Sequence, residues 1–268
     1  MKIIRFLSGN GKAFYGTPDA GDLHHARIIE GDIFDRFEVT ETRISVGKLL
    51  PPVPSPNVLA LGLNYRSHAD ETNITYPDMP ILFLKATNSL LGSGSPIVLP
   101  KAGPERVDYE AELAVVIGKE AKNISPQDAW EFIMGYTCGN DVSARDWQFE
   151  KQKGQWARGK SFDTFCPLGP WLVTKDEIPD PGNLRIRTLL NGVVMQDATT
   201  AAMIFDVPAI VSNLSQSLTL YPGTVILTGT PEGVGYTRKP PVFLKEGDTV
   251  VVSIEKVGDL VNPVVREV

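Results

Sequence analysis

The hydrophobic and polar positions along the chain predict many short strands and few helices. Short apolar or alternating runs, bounded by Gly, Asp or Pro, are typical of strands. The strand candidates are KIIRFL, KAFYG, HHARIIEGDIF, RFEVTE, VLALGLNY, TVILTG and DTVVVSIEKV, and RIRTLLNGVVMQ is typical of a hairpin with Asn191-Gly192 in a type I′ turn. Because strands outnumber helices and do not alternate with them, the pattern predicts an α+β, mainly β fold, a roll or barrel with a few helices.

Two segments predict helices. SPQDAWEFIM is expected to form a helix with Ser125 as a capping residue and Gly135 at its end. A second helix is expected to begin near Pro208, within FDVPAIVSNLSQSL.

Proline spacing predicts the domain organisation. Four prolines lie between Pro51 and Pro56, and such a cluster is typical of a stiff linker. The chain of 268 residues is therefore divided into a small N-terminal β-rich domain, residues 1–50, a proline-rich linker, residues 51–56, and a main domain, residues 57–268.

Composition and charge narrow the classes of function. The chain is 42% hydrophobic and 22% charged, with a net charge of −6 and no basic tract, which argues against nucleic-acid binding. No apolar run is long enough for a membrane span, and the N-terminus does not resemble a signal peptide. Two cysteines do not make a disulfide framework, so a reducing cytoplasm is expected. Because nucleic acid is disfavoured, the expected partner is a small molecule.

The stretch GQWARGKS matches the phosphate-loop pattern of nucleotide-binding proteins but lacks its context. A phosphate loop follows a buried strand and opens a helix, whereas polar FEKQK precedes this stretch and proline-rich FDTFCPLGP follows it. Nucleotide binding is therefore disfavoured. Lys160 either has another role or is a surface lysine in a loop.

The segment VDYEAELAVVIGK places acidic side chains on one face of a predicted strand. Asp108, Glu110 and Glu112 alternate with apolar residues, about 7 Å apart. Like charges at that distance repel by about 2 kcal/mol at an effective dielectric near 20 unless solvent screens them. A solvated face is one interpretation. Ala114 and Val116 continue the same face, however, and predict a strand that is buried on both sides, where carboxylates need a cation.

A hard metal ion is the cation that this composition favours. Asp141, in GYTCGNDVSARD, supplies a further carboxylate, and three histidines in the whole chain are too few for a zinc or iron site. Glu110, Glu112 and Asp141 would fill half of an octahedron around Mg²⁺, with Mn²⁺ as an alternative. Asp108 is expected to be a neighbour that hydrogen-bonds backbone or solvent.

Five separated motifs together resemble one family. GLNYRSHADE, DYEAELAVVIGK, GNDVSARDWQ, GKSFDTFCPLGPW and LTGTPEGVG occur in the order found in the fumarylacetoacetate hydrolase superfamily, from about Leu59 to the C-terminus. The resemblance implies a β-roll catalytic domain, a divalent cation held by three carboxylates, and a homodimer.

The resemblance also assigns roles to residues by position. It implies Glu110, Glu112 and Asp141 as metal ligands, His68 and Glu71 as a pair on a lid, Lys160 as a contact of the metal-bound substrate, and Arg145, Gln148 and Thr230 as substrate-binding residues. Each has a plainer interpretation: an incidental loop histidine, an arginine paired with Asp146 or another acid, or a simple turn at Thr230. Cys138 and Cys166 are expected to be buried apolar residues.

One departure selects a branch of the superfamily. The longer fumarylacetoacetase has an acidic ligand where this chain has Leu61, so the chain resembles the shorter acylpyruvase, oxaloacetate decarboxylase and hydroxymuconate isomerase branch. The expected activity is metal-dependent hydrolysis of a C–C bond in acylpyruvates or related β-diketo acids, through a metal-stabilised enolate. The alternative, with the same metal site, is a decarboxylase or keto–enol isomerase that acts on oxaloacetate-like or hydroxymuconate-like diacids. A nucleotide-binding protein and a non-catalytic β-rich module are further alternatives.

Overall fold

The computed structural model describes residues 1–19, 22–103 and 105–268, and these residues contain nineteen strands and four α-helices. The N-terminal strands are β1 (Lys2–Leu7), β2 (Ala13–Asp19), β3 (Asp22–Gly31), β4 (Phe37–Ser45) and β5 (Lys48–Leu50). Then come β6 (Val58–Gly62), α1 (Arg66–Thr72), β7 (Ile81–Lys85), β8 (Leu90–Gly92), β9 (Ile97–Leu99), β10 (Val107–Asp108), β11 (Ala111–Ile117), α2 (Ala129–Phe132), β12 (Ile133–Asn140) and β13 (Ser143–Ala144). The remaining elements are α3 (Trp156–Lys160), β14 (Cys166–Thr174), β15 (Arg185–Leu190), β16 (Val193–Thr199), α4 (Val207–Ser217), β17 (Val225–Leu227), β18 (Thr249–Ile254) and β19 (Gly258–Arg266).

Two sheets account for most of the strands. The larger runs in the order β4-β3-β2-β1-β14-β12-β11-β17-β6-β7, with β5 beside β1 and β8 beside β14. The smaller runs β16-β15-β18-β19-β9, and β10 pairs with β13. Most of the pairs are antiparallel, and the pairs β14–β8, β17–β6 and β19–β9 are parallel. The predicted α+β, mainly β fold is thereby confirmed.

Strand β11 lies at the centre of the larger sheet and is buried on both faces, as the sequence predicts. Leu113 and Val115 pack in a cluster that includes residues of α4, while Ala114 and Val116 pack on the opposite side against Ile3 of β1 and its neighbours. Full burial of one such aliphatic side chain contributes about 1.5–3 kcal/mol. The strand therefore offers a rigid base for the acids at its start.

The N-terminal strands join the larger sheet directly. Lys2 and Ile3 of β1 pair with Val173 and Leu172 of β14. Within the proline-rich segment 51–56, Val53 is fully buried. The division of the chain at residues 50 and 56 stays a prediction.

One predicted helix is largely wrong and the other is confirmed. Within SPQDAWEFIM only Ala129–Phe132 is helical, because Ile133 already begins β12. Gly135 lies inside that strand rather than at a helix end, opposite Thr174. Sheet pairing has overridden the local helix signals here. The second helix, α4, begins at Val207 beside the predicted Pro208.

The predicted hairpin is confirmed as well. Strands β15 and β16 pair around Asn191 and Gly192, whose φ angles are 53° and 80°. Two positive φ values in succession are the signature of the type I′ turn. In the described part of the chain, no helix has the length and apolar character that crossing a membrane requires.

Both cysteines are buried and are expected to resist thiol reagents. Cys138 and Cys166 are free thiols, and burial raises the pKa of Cys166 to about 12. At pH 8 a thiol with that pKa is about one part in 10,000 thiolate, the reactive form. In a colorimetric assay with an aromatic disulfide, we expect no reaction of the native protein within an hour and two reacting thiols in denaturant. Rapid modification of the native chain would contradict this burial.

Candidate active site and metal centre

Three acids from two separate segments meet where the neighbouring strands β11 and β12 begin and end, respectively. Glu110 lies between β10 and β11, Glu112 is in β11, and Asp141 directly follows β12. One ligand oxygen of each lies within 4.8 Å of the others, and all three residues are buried. This is the cluster that the sequence predicts as a metal site.

The strand that carries two of these acids is interrupted, contrary to the prediction of one continuous strand. The Glu110 backbone N–H donates to Asn140 Oδ1 at 3.0 Å, and the Ala111 N–H donates to Gln196 Oε1 at 2.9 Å. The Glu110 carbonyl accepts from the Asp141 N–H at 2.9 Å. Side-chain amides thus replace part of the regular ladder, and the chain turns so that Glu110 and Asp141 approach each other.

Glu112 has an unused ligand atom. Its Oε2 accepts from the Gly229 N–H at 2.6 Å, whereas its Oε1 is buried and has no hydrogen-bond partner among the residues that the structure describes. Burial raises the pKa of Glu112 well above its usual range, and the nearby Asp141 and Glu110 raise it further. A buried carboxylate oxygen without a donor, crowded by two other acids, is what a hard divalent cation satisfies. The residues present therefore fit such an ion.

Lys160 bridges two of the acids. Its Nζ lies 2.9 Å from Glu110 Oε2 and 2.6 Å from Asp141 Oδ2, and the side chain is buried. Burial alone would lower the pKa of Lys160, but the two carboxylates outweigh it and raise the pKa. The ammonium group is thus held charged.

The nucleotide-like pattern around Lys160 has a different structural context from a phosphate loop. A π-helical turn over Trp147–Lys151 precedes it instead of a buried strand, and α3 has only five residues. Because the Lys160 ammonium is engaged by two buried acids, the pattern does not form a phosphate cradle.

Lys85 is a site residue that the sequence patterns did not single out. It ends β7, is buried, and donates to Asp141 Oδ1 and to the Val142 carbonyl. The available signal was a lysine closing the apolar run ILFLK, since a lysine in a buried strand requires an acid partner. Lys85 therefore shares in balancing the charge of the acid cluster.

Arg145 is committed to acids of the protein itself. Its Nε lies 2.9 Å from Asp108 Oδ2, and its Nη1 lies 2.7 Å from Glu110 Oε1 and 2.9 Å from Gln148 Oε1. Asp108 also accepts from the backbone N–H groups of Gly235 at 2.8 Å and Tyr236 at 3.0 Å. The plainer interpretation of Asp108, a neighbour that hydrogen-bonds backbone, matches this geometry.

The charges of the cluster nearly balance. Four buried carboxylates (Asp108, Glu110, Glu112 and Asp141) face three buried cations (Lys85, Arg145 and Lys160). With all four carboxylates ionised, one net negative charge remains, and a divalent ion would turn it into one net positive charge. A site of that sign attracts an anionic ligand, which the three acids and an ion alone would not.

His68 and Glu71 form a hydrogen-bonded pair on helix α1. His68 Nδ1 lies 2.6 Å from Glu71 Oε1 across one helical turn. The other carboxylate oxygen of Glu71 accepts from the Gly233 N–H at 3.1 Å and from Thr237 Oγ1 at 2.9 Å. Ser67 of the same helix donates to Glu232. The pair is therefore hydrogen-bonded to the loop 228–237 through Glu71. Because Glu71 binds Nδ1 of His68, the Nε2 atom is the one that can act on a substrate.

A small cavity brings most of the sequence-predicted residues together. It measures about 50 Å³ and is lined in part by His68, Glu110, Arg145, Gln148, Lys160 and Thr230. Glu71 does not line the cavity but is hydrogen-bonded to His68, which does. Glu112 and Asp141 belong to the acid cluster together with Glu110, which lines the cavity. Thr230 Oγ1 accepts from Gln196 Nε2 at 2.8 Å. The nine predicted residues thus form one site, while their individual roles stay predictions.

Comparison with known proteins identifies the family. Residues 57–265 match the model of the fumarylacetoacetate (FAA) hydrolase C-terminal domain, more than three quarters of the chain. The chain belongs to the fumarylacetoacetate hydrolase family. The resemblance that the five sequence motifs indicate is thereby confirmed.

Relatives of the chain carry the names of tautomerases and isomerases. The chain is 51% identical over 218 residues to a mitochondrial oxaloacetate tautomerase of Xenopus laevis. The alignment covers 68% of that protein and 81% of this chain. Its fold is similar to that of 5-carboxymethyl-2-hydroxymuconate delta-isomerase from Mycobacterium smegmatis, with a TM-score of 0.87, 40% identity and full coverage of both chains. It also resembles 2-hydroxyhepta-2,4-diene-1,7-dioate isomerase from Mycobacterium marinum, with a TM-score of 0.85 and 42% identity, covering 100% of this chain and 99% of that one. Membership of this enzyme family indicates an enzyme that acts on a small molecule.

Proposed function

We propose that this member of the fumarylacetoacetate hydrolase family is a divalent-metal-dependent keto–enol tautomerase of small 2-oxo acids of the oxaloacetate type. The observation that carries the proposal is one cavity that joins a buried acid cluster with an unpartnered carboxylate oxygen to a histidine–glutamate pair. Enolisation needs a group that withdraws electrons from the oxo carbon and a base for the adjacent carbon. The names of the relatives favour the same chemistry.

The residues of the cavity have distinct tasks in this reaction. A divalent ion held by Glu110, Glu112 and Asp141 would polarise the oxo group and make the C3 hydrogens more acidic. His68 takes a C3 proton through its free Nε2, and Glu71 stabilises the resulting imidazolium. The electron pair of the broken C–H bond forms the C2=C3 double bond, and the π pair of the oxo group moves to the C2 oxygen. That oxygen takes up one proton from solvent to give the enol, and His68 returns its proton to solvent.

Donors in the cavity complement the charge that develops on the substrate. Lys160 presents a charged ammonium group, and Gln148 and Thr230 offer polar atoms at the same wall. Preorganised donors of this kind stabilise an enolate in the transition state. Arg145 binds Asp108 and Glu110, so we assign it to orienting the acids before any contact with substrate.

Hydrolysis of acylpyruvates is the second candidate, and the His68–Glu71 pair favours it. The pair can deprotonate water for attack on an acyl carbonyl, after which the C–C bond breaks and the electron pair is held as the enolate of a 2-oxo acid. Decarboxylation of oxaloacetate would need the electron-withdrawing centre but no base. Mg²⁺ is the proposed ion and Mn²⁺ the alternative, since all ligands are carboxylates.

The activities are separated by assaying the purified protein with oxaloacetate and acetylpyruvate, with Mg²⁺, with Mn²⁺ and with a chelator. Loss of the ultraviolet absorbance of the enol reports tautomerisation, release of carbon dioxide reports decarboxylation, and new carboxylate signals in NMR report hydrolysis. We expect rapid, metal-dependent conversion of the oxaloacetate enol. Cleavage of acetylpyruvate without that conversion would replace the first candidate by the second, and inactivity with every metal would refute both.

The homodimer and the cytoplasmic location also stay predictions. Light scattering after gel filtration tests the dimer directly. The relatives from Xenopus laevis and Homo sapiens are called mitochondrial in their names, which applies to those proteins.

Thr237 provides a test of the role of Glu71 in the proposed reaction. Thr237→Val removes the 2.9 Å hydrogen bond to Glu71 Oε2, worth about 1 kcal/mol, so we expect kcat to fall about 5-fold with unchanged metal affinity. Thr237→Ser should restore the rate. Thr40→Val, which removes a hydroxyl bonded to the Ile28 carbonyl in the N-terminal sheet, is the control. Equal rates for Thr237→Val and the unmodified protein would show that this hydrogen bond does not position Glu71.

A further inference from the structure

Trp156 forms one wall of the cavity and is held there from two sides. Its ring packs edge-on against Phe83, with ring centroids 5.9 Å apart and planes at 77°. Its Cζ3 lies where a side chain of residue 62 would begin, since a Cβ atom built on Gly62 would be 2.2 Å away. Trp156, Phe83 and Gly62 all line the cavity. The glycine thus makes room for the indole.

The position of this wall is coupled to the acid cluster. Trp156 is the first residue of α3 and Lys160 is the last. The Lys160 Nζ is bound to Glu110 and Asp141 and also lies 5.0 Å from the centre of the Phe83 ring. An outward movement of α3 would therefore break buried ion pairs, so the backbone that carries the indole is held in place.

The space that remains is small. The cavity of about 50 Å³ has room for about four water molecules, at 10–15 Å³ each. That space suits a short acid whose carboxylate and oxo group lie at the polar wall with Lys160 and Glu110. A longer distal chain would have to displace the Trp156 ring or extend through the open side of the cavity.

We propose that Trp156 determines substrate specificity by limiting the length of the distal group, so that the site takes short 2-oxo acids and excludes longer ones. The inference rests on the proposed function and deepens it, because it names the size class of the substrate. It also distinguishes the two activities, since oxaloacetate fits within the limit and acylpyruvates with long acyl groups exceed it.

Binding of oxamates tests the limit without any turnover. Oxamate has the carboxylate and carbonyl of a 2-oxo acid, and N-butyl oxamate adds a four-carbon chain. By calorimetry with Mg²⁺, we expect the unmodified protein to bind N-butyl oxamate about 100-fold more weakly than oxamate, and Trp156→Ala to narrow this ratio to about 5-fold. Trp130→Ala, a change at a 38% exposed tryptophan in α2, should leave the ratio unchanged.

Each outcome decides the proposal. An unchanged ratio in Trp156→Ala overturns it, as does the absence of oxamate binding to the folded, metal-loaded protein. If Trp156→Ala does not fold, Trp156→Phe removes part of the ring and should narrow the ratio by about 3-fold. Length-dependent oxamate binding without enol conversion would contradict the proposed function and support the size limit. The failure of the one proposal can therefore be distinguished from the failure of the other.

Discussion

Replacing Glu112 with glutamine is expected to make the metal-free protein more stable and to abolish its response to Mg²⁺. The substitution keeps the shape of the side chain and an acceptor for the Gly229 N–H, but it removes a carboxyl group whose charged form is opposed by burial and by repulsion from Asp141 and Glu110. Relief of that repulsion should raise the free energy of unfolding by about 1–3 kcal/mol.

The same substitution should remove both the stabilisation and the activity that depend on the metal ion. Mg²⁺ at 100 times its dissociation constant stabilises a folded protein by about 2.7 kcal/mol, and this gain should be lost when Glu112 is neutral. We expect enol conversion to fall by at least about 1,000-fold, because several kcal/mol of charge stabilisation depend on the ion. Thermal melts with and without Mg²⁺, and the enol assay, measure both effects.

Asp108→Asn is the matched control for this experiment. Asp108 is equally buried, yet it accepts hydrogen bonds from Gly235, Tyr236 and Arg145, so its neutralisation should destabilise the metal-free protein. The two substitutions therefore have opposite expected signs. A metal-dependent melting shift that survives in Glu112→Gln would exclude the acid cluster as the metal site.

Replacing His68 with asparagine is expected to reduce enol conversion by about 10²–10⁴-fold, the usual contribution of a positioned general base. His68 does not belong to the acid cluster, so Mg²⁺ should stabilise the variant as much as it stabilises the unmodified protein. If acetylpyruvate is a substrate, its hydrolysis should be lost as well, whereas decarboxylation of oxaloacetate should persist because it needs no base.

A second histidine provides the comparison. His25 lies in β3 and pairs with Asp22 at 3.1 Å, on the N-terminal strands. His25→Asn should leave both rates and the metal response unchanged. Retention of full tautomerase activity by His68→Asn would show that the proton at C3 is moved by another group.

The local sequence pattern is sufficient to predict much of the fold and to predict which residues lie in the site. Alternating apolar residues identify the strands, Asn191-Gly192 identifies the hairpin, and the acids of β10 to β12 stand out because charge in a doubly buried strand needs compensation. The spacing of His68 and Glu71 suffices to predict that they can meet on one helical turn.

Other features depend on partners far away in the chain. The helix predicted up to Gly135 yields to β12 because its backbone pairs with β14, some 40 residues later. Lys85 lies 56 residues from Asp141, and nothing near it in sequence indicates that contact. Arg145, which the resemblance assigns to the substrate, is bound to Asp108, 37 residues away, and only the folded chain reveals that contact.

The loop 228–237 holds three acids of the site through its backbone, and the Thr237 hydroxyl is an additional side-chain donor to Glu71. The N–H groups of Gly229, Gly233 and Gly235 donate to Glu112, Glu71 and Asp108, respectively. Backbone donors persist when neighbouring side chains are exchanged, but their spacing changes when a residue is inserted or deleted. We therefore expect substitutions in this loop to be tolerated outside the glycines, Thr230 and Thr237, and insertions or deletions to be tolerated hardly anywhere in it.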